Sequence, residues 1–79
     1  MKYKVKSFGI AKDIIGDRST TIETDAVTVG ELRSWLVNKY PELLGLRSLF
    51  IAVNQNYADE NSVINETDEI VLIPPVSGG

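Results

Sequence analysis

A chain of 79 residues, 43% hydrophobic and 24% charged, has room for one domain and one core. Its net charge of −3, from 8 basic and 11 acidic residues, argues against nucleic-acid binding, which draws on a basic stripe. With no Cys and no His it offers no disulfide, no thiolate or imidazole metal site, and no Ser-His or Cys-His couple.

Lys2 to Phe8 alternates, Tyr3 and Val5 on one side and Lys2, Lys4 and Lys6 on the other, which predicts a half-buried strand. The lysine stripe is read as a solvated face, or as protection against edge pairing. Ala11 to Ile15 predicts a helical turn or an irregular bridge, and Gly16-Asp17-Arg18 a turn. Ser19 to Thr24, rich in Thr around Ile22, suits a second strand paired to the first.

The strongest helix signal starts at Thr28. Thr28-Val29-Gly30-Glu31 has the form of a capping box, in which the Thr hydroxyl accepts from the Glu31 amide and the Glu side chain reaches back. Val29, Leu32, Leu36 and Tyr40 then recur at three- and four-residue steps, with Trp35 beside them, and are assigned to the core. Pro41 ends the helix, because it forces the residue before it out of helical geometry.

Leu49 to Val53 predicts a short apolar strand, Asn54-Gln55-Asn56 a turn, and Tyr57-Ala58 a brief edge strand. Asp59 to Asn65 reads as an irregular connection around Val63 and Ile64, followed by a turn at Thr67-Asp68. Glu69 to Ile73 is the last strand, and its unbroken apolar run places it at the centre of a sheet or under a partner. The carboxylates of Asp59, Glu60, Glu66, Asp68 and Glu69 lack calcium-loop spacing and are read as solvated turn residues, so no metal site is expected.

A hairpin, one long helix and further strands predict an α+β fold with the helix on one face of the sheet. The order is compatible with the β-grasp, although the pattern leaves the strand order open. The N-terminus carries no apolar run of signal-peptide length, and Ile70 to Val76 is too short to cross a bilayer. The expectation is a cytoplasmic protein without membrane contact.

Residues 1–73 are assigned to the domain and 74–79 to a tail. Proline lacks an amide donor and rejects helix, so Pro74-Pro75 ends strand pairing and begins an extended arm. Six residues at about 3.3 Å each reach roughly 20 Å. Gly78 and Gly79 add no side-chain bulk, so the end suits a narrow channel and its carboxylate is open to attack.

Ala52-Val53-Asn54-Gln55, Thr67-Asp68-Glu69 and Pro74-Pro75-Val76-Ser77-Gly78-Gly79 together resemble the small subunit of molybdopterin synthase, the MoaD family. Phe8, Gly16, and Thr28-Val29 leading to Leu32 also sit where that pattern places them. The family's Gly-Asp turn before the last strand is Thr67-Asp68 here, a departure that touches the turn and not the tail.

The resemblance implies a ubiquitin-like β-grasp with mixed sheet, whose Gly79 carboxylate becomes an acyl-adenylate and then a thiocarboxylate. It implies three partners: a ubiquitin-activating-like adenylating enzyme that uses ATP, a sulfur donor protein, and a large catalytic subunit. The tail residues Pro74, Pro75, Val76, Ser77 and Gly78 would enter that subunit, which passes sulfur to cyclic pyranopterin monophosphate. No cofactor is expected on this chain alone. Two other diglycine proteins fit the same ending: a ThiS-type carrier for thiazole synthesis, and a ubiquitin-like modifier joined to lysines through Gly79. For docking, alternation in Ile70-Val71-Leu72-Ile73 sends one pair to the helix and one to the opposite sheet face. Ile70, Leu72, Phe8 and Phe50 are assigned to the partner-facing patch.

Overall fold

The computed structural model describes residues 1–46 and 49–74. In chain order it contains strand β1 (Lys2–Ser7), helix α1 (Gly9–Ile15), β2 (Ser19–Glu23), helix α2 (Val29–Lys39), a 3₁₀ helix (Pro41–Gly45), β3 (Phe50–Val53), β4 (Asn56–Tyr57) and β5 (Ile70–Ile73). The strands form one mixed sheet in the order β2-β1-β5-β3-β4. Its middle pair, β1 and β5, is parallel, and the other neighbours are antiparallel.

Alternation decides the core. Tyr3, Val5 and Ser7 of β1, Ile22 of β2, Ile51 of β3, and Ile70 and Leu72 of β5 are buried. Val29, Leu32 and Leu36 of α2 are buried with the apolar members of that set in one cluster. Burying such aliphatic side chains contributes about 1.5–3 kcal/mol each before conformational entropy is set against it. The centre of the sheet is β5, in keeping with its apolar run, with two strands on either side of it.

Local chemistry fixes the boundaries. Thr28 and Glu31 form the full capping box: the Thr28 hydroxyl accepts from the Glu31 amide at 3.2 Å, and Glu31 Oε1 accepts from the Thr28 amide at 3.2 Å. The Val27 amide also donates to that carboxylate at 2.9 Å. Pro41 ends α2, and the chain tightens into the 3₁₀ helix, an element the sequence reading lacks. Gly16 ends α1 at φ 97°, where a Cβ would be strained, and its amide donates to the Lys12 carbonyl. Asn54 and Gln55 both take positive φ, 53° and 71°, between the paired residues Val53 and Asn56. That is the two-residue hairpin turn whose twist matches flanking strands. It moves the small edge strand to Asn56–Tyr57, one residue before the sequence expectation.

Candidate functional site

The tail is rooted on the central strand. β5 ends at Ile73, and half-buried Pro74 follows it beside the first turn of α1. A Cβ built on Gly9 would lie 3.5 Å from Pro74 Cγ, an ordinary contact. Conformation rather than space reserves that site for glycine, since Gly9 has φ 55°. The expected extended arm from Pro75 through Val76, Ser77 and Gly78 to the carboxylate of Gly79 lies outside the described residues. A strand paired on both edges is a firm mount for whatever follows it.

The sheet face away from α2 has two unlike halves. Register places Lys2, Lys4 and Lys6 of β1 across from Glu23, Thr21 and Ser19 of β2, which makes a charged half. Phe50 lies opposite Ile73, and Ala52 opposite both Val71 and Tyr57, which makes an apolar half. The Phe50 and Tyr57 rings are 5.4 Å apart at 56°, an aromatic pair held open to solvent. Ala52, Gln55, Tyr57, Glu69, Val71 and Ile73 line a shallow groove of about 310 Å³. Lys6 and Glu69, 3.1 Å apart, mark the border between the halves.

This geometry corrects two of the four residues assigned to the docking patch. Ile70 and Leu72 are both fully buried. Their register with Val5 and Ser7 turns them toward α2, so they belong to the core. The residues of this run on the open face are Val71 and Ile73, one position out of phase with the expectation. Phe8 and Phe50 are exposed, at 48% and 51%, and Tyr57, which the sequence reading left out, at 73%. The alternation was visible in the sequence, but its phase depends on the pairing with β1, whose partner residues lie 65 positions away in the chain (Val5 with Ile70, Ser7 with Leu72).

The described side chains bring no acid-base pair or nucleophile together. Burial, and then the carboxylates of Glu66, Asp68 and Glu31, raise the Tyr3 hydroxyl above its ordinary pKa of 10.0. That hydroxyl donates to the Ala26 carbonyl at 2.6 Å, which is a structural tie. Among the described residues no group of three or more His, Cys, Asp or Glu is arranged to hold a metal ion. No helix is long and apolar enough to cross a membrane, again among the described residues. The turn carboxylates brace loops: Asp68 accepts from the Asn65 amide at 2.8 Å and from Asn54 Nδ2 at 3.0 Å. Glu66 accepts from the Lys2 amide at 2.7 Å. Half-buried Trp35 packs against the core and lines an open hollow with Met1, Lys2, Thr24 and Glu66.

The model of the ThiS family matches residues 5–79. The molybdopterin synthase sulfur carrier subunit of Caenorhabditis briggsae is 39% identical over 80 residues, covering 96% of this chain and 95% of that one. Among solved structures, SAMP1 from Haloferax volcanii superposes with a TM-score of 0.81 at 26% identity, over 100% of both chains. A chain in the complex of subunits 1 and 2 of molybdopterin-converting factor from Helicobacter pylori superposes with a TM-score of 0.69 at 32% identity, again over 100% of both. The fold is therefore the ubiquitin-like β-grasp that the resemblance implied.

Proposed function

The chain belongs to the ThiS family and is a ubiquitin-like sulfur carrier of the MoaD type, and from that premise we propose that it is the small subunit of a molybdopterin synthase. The observation that carries the reading is where the tail begins. The Pro-Pro-Val-Ser-Gly-Gly sequence follows directly on β5, the central strand of the sheet and hydrogen-bonded on both edges, beside an open apolar half-face. A rigid body with its working group at the end of an arm is what a carrier needs, since the arm alone must enter another protein.

In this scheme the Gly79 carboxylate attacks ATP held by an adenylating enzyme, releasing pyrophosphate and forming an acyl-adenylate. A bare carboxylate is a poor acyl donor, and AMP supplies the leaving group. Sulfide released by a donor protein then attacks the acyl carbon, the bond to AMP breaks, and the thiocarboxylate is left. The large subunit takes up the tail and passes the sulfur to cyclic pyranopterin monophosphate, all in the cytoplasm. Phe8, Phe50, Tyr57, Val71 and Ile73 dock that subunit while Pro74 to Gly78 lead the terminus inward. The Helicobacter pylori complex of two subunits supports such a partner. The bases, cations and phosphate binders come from the partners, and a chain of net charge −3 suits basic surfaces on them.

A second reading has its own support. The full-length likeness to SAMP1, a small archaeal modifier protein, favours conjugation of Gly79 to lysine amines after the same activation. One reconstitution separates the cases. With ATP, an adenylating enzyme and a sulfide source, the native chain is expected to form a thiocarboxylate that sustains molybdopterin synthesis. Uncleaved protein bearing a C-terminal tag lacks a free Gly79 carboxylate and forms none; a thiocarboxylate on it would contradict the proposal. Isopeptide-linked products without sulfur transfer would favour the modifier reading.

A further inference from the structure

The sheet has two edges, and they are not equally guarded. One is β4, only two residues long. The other is β2, Ser19-Thr20-Thr21-Ile22-Glu23, five residues without Pro, Gly or Lys. The positive-φ residues of the described chain all lie outside it. The lysine stripe that would protect an edge sits one strand in, on β1. Helix α1 packs against β1 and the 3₁₀ helix, and Ser19, Thr21 and Glu23 on this edge strand are exposed.

The ladder shows which backbone groups face outward. The Ser7 amide donates to the Arg18 carbonyl at 2.8 Å, and the Thr24 amide to the Met1 carbonyl at 2.9 Å. Hydrogen-bonded pairs in an antiparallel ladder recur every second residue, so Thr20 and Ile22 also turn their amides and carbonyls to β1. The amides and carbonyls of Ser19, Thr21 and Glu23 therefore point to the open edge, and their side chains stand exposed on the outer face.

We propose that two copies of this chain pair their β2 strands antiparallel about a two-fold axis at Thr21, joining the two sheets into one. In that register Thr21 faces Thr21, and Ser19 faces Glu23 of the other copy on each side. Each of these is an outward-facing pair, able to exchange two backbone bonds, or about six in all. Thr beside Thr is a favourable cross-strand neighbour, and no like charges stand opposite within the strands. The neighbouring registers are worse. An axis at Thr20 or at Ile22 keeps only two outward-facing pairs within the strands, an axis at Glu23 sets two carboxylates against each other, and an axis at Ser19 pairs Thr21 with Asp17, beyond the strand end. The occupied edge lies two strands from β5, so Pro74 and the apolar half-face stay free. The inference stands apart from the carrier reading and is compatible with it, since such a pair carries two free tails.

Five residues of edge bury little area, so the association is concentration-dependent. Sedimentation velocity of the full chain over a concentration series is expected to show mass rising from 8.7 kDa toward twice that value. Amide NMR should show concentration shifts centred on Ser19, Thr21 and Glu23. Thr21→Pro deletes an outward amide from each copy, one that β1 does not use, and should weaken association at least about tenfold. Thr21→Lys keeps the amide but sets two ammonium groups face to face, and should also weaken it; circular dichroism checks that both variants fold. Ser19→Lys places a lysine opposite Glu23 of the other copy at two sites, and should tighten association about two- to thirtyfold. A monomer at every concentration up to about 1 mM would overturn the proposal. So would a dimer indifferent to Thr21→Pro and Ser19→Lys.

Discussion

Leu36→Ala probes the packing that holds the tail's mount in place. Leu36 is fully buried on α2 and shares the core with Ile22 of β2, Ile51 of β3 and Ile70 and Leu72 of β5. Its carbonyl accepts the Tyr40 amide at 2.7 Å, a bond that Ala retains, so the substitution acts on packing alone. Three carbons leave the core, worth about 2.4 kcal/mol at roughly 0.8 kcal/mol each. The cavity left behind adds to this, and Leu→Ala changes in cores fall at about 2–5 kcal/mol in total. A domain of this size has about 4–12 kcal/mol of stability at roughly 0.05–0.15 kcal/mol per residue. The loss is thus a large share of the margin, and it should lower the melting temperature by about 8 °C or more. Urea unfolding followed by circular dichroism measures it, with the slope against denaturant unchanged. A loss below about 1 kcal/mol would mean that the site collapses freely or that Leu36 packs loosely, and the account of the core would be wrong.

Phe50→Asp should leave folding intact, because that ring is half exposed, and should weaken binding to a purified large subunit by about thirtyfold or more if it is an anchor of the patch. Unchanged affinity by titration calorimetry would remove the apolar half-face from the interface. Because the folded pKa of Tyr3 is raised, the unfolded chain loses that proton first as pH rises. The associated stability is full below about pH 10 and falls as pH climbs toward the folded pKa, at up to about 1.4 kcal/mol per pH unit. Urea midpoints between pH 8 and 11, taken on the native chain and on Tyr3→Phe, should show a steeper alkaline fall in the native chain, and parallel curves would contradict this. Deleting Gly79 should spare folding and docking but withdraw the terminal carboxylate by about 3.3 Å, and sulfur transfer should fall on the order of a hundredfold in single-turnover assays. Transfer within a few-fold of native would show that placement of the terminus is not limiting.

Short-range chemistry was the most legible part of the sequence. The capping box at Thr28, the stop at Pro41 and the turn at Asn54-Gln55 each follow from a few adjacent residues, and each is present. The 3₁₀ helix at Pro41–Gly45 was not legible, because its sequence carries only one clear signal, the proline. The facing of β5 was half legible. Alternation separated Ile70 and Leu72 from Val71 and Ile73, but which pair meets α2 is set by parallel pairing with β1, a contact between the two ends of the chain. Tyr57 was missed for a related reason: it joins Phe50 only once a two-residue turn fixes the hairpin register. The prolines and glycines marked off the tail in the sequence, and its sulfur chemistry came with the family resemblance, whereas the place of Pro74 at the end of the central strand needed the sheet order.

The central claim is that Gly79 carries sulfur. The most direct measurement is the intact mass of the protein taken from its native host, with fragmentation of its C-terminal peptide. The account predicts a population in which one oxygen of the Gly79 carboxylate is replaced by sulfur, and which reverts to the carboxylate on hydrolysis. Protein ending in an ordinary carboxylate throughout, taken from cells actively making molybdopterin and deprived of the large subunit so that charged carrier accumulates, would contradict it.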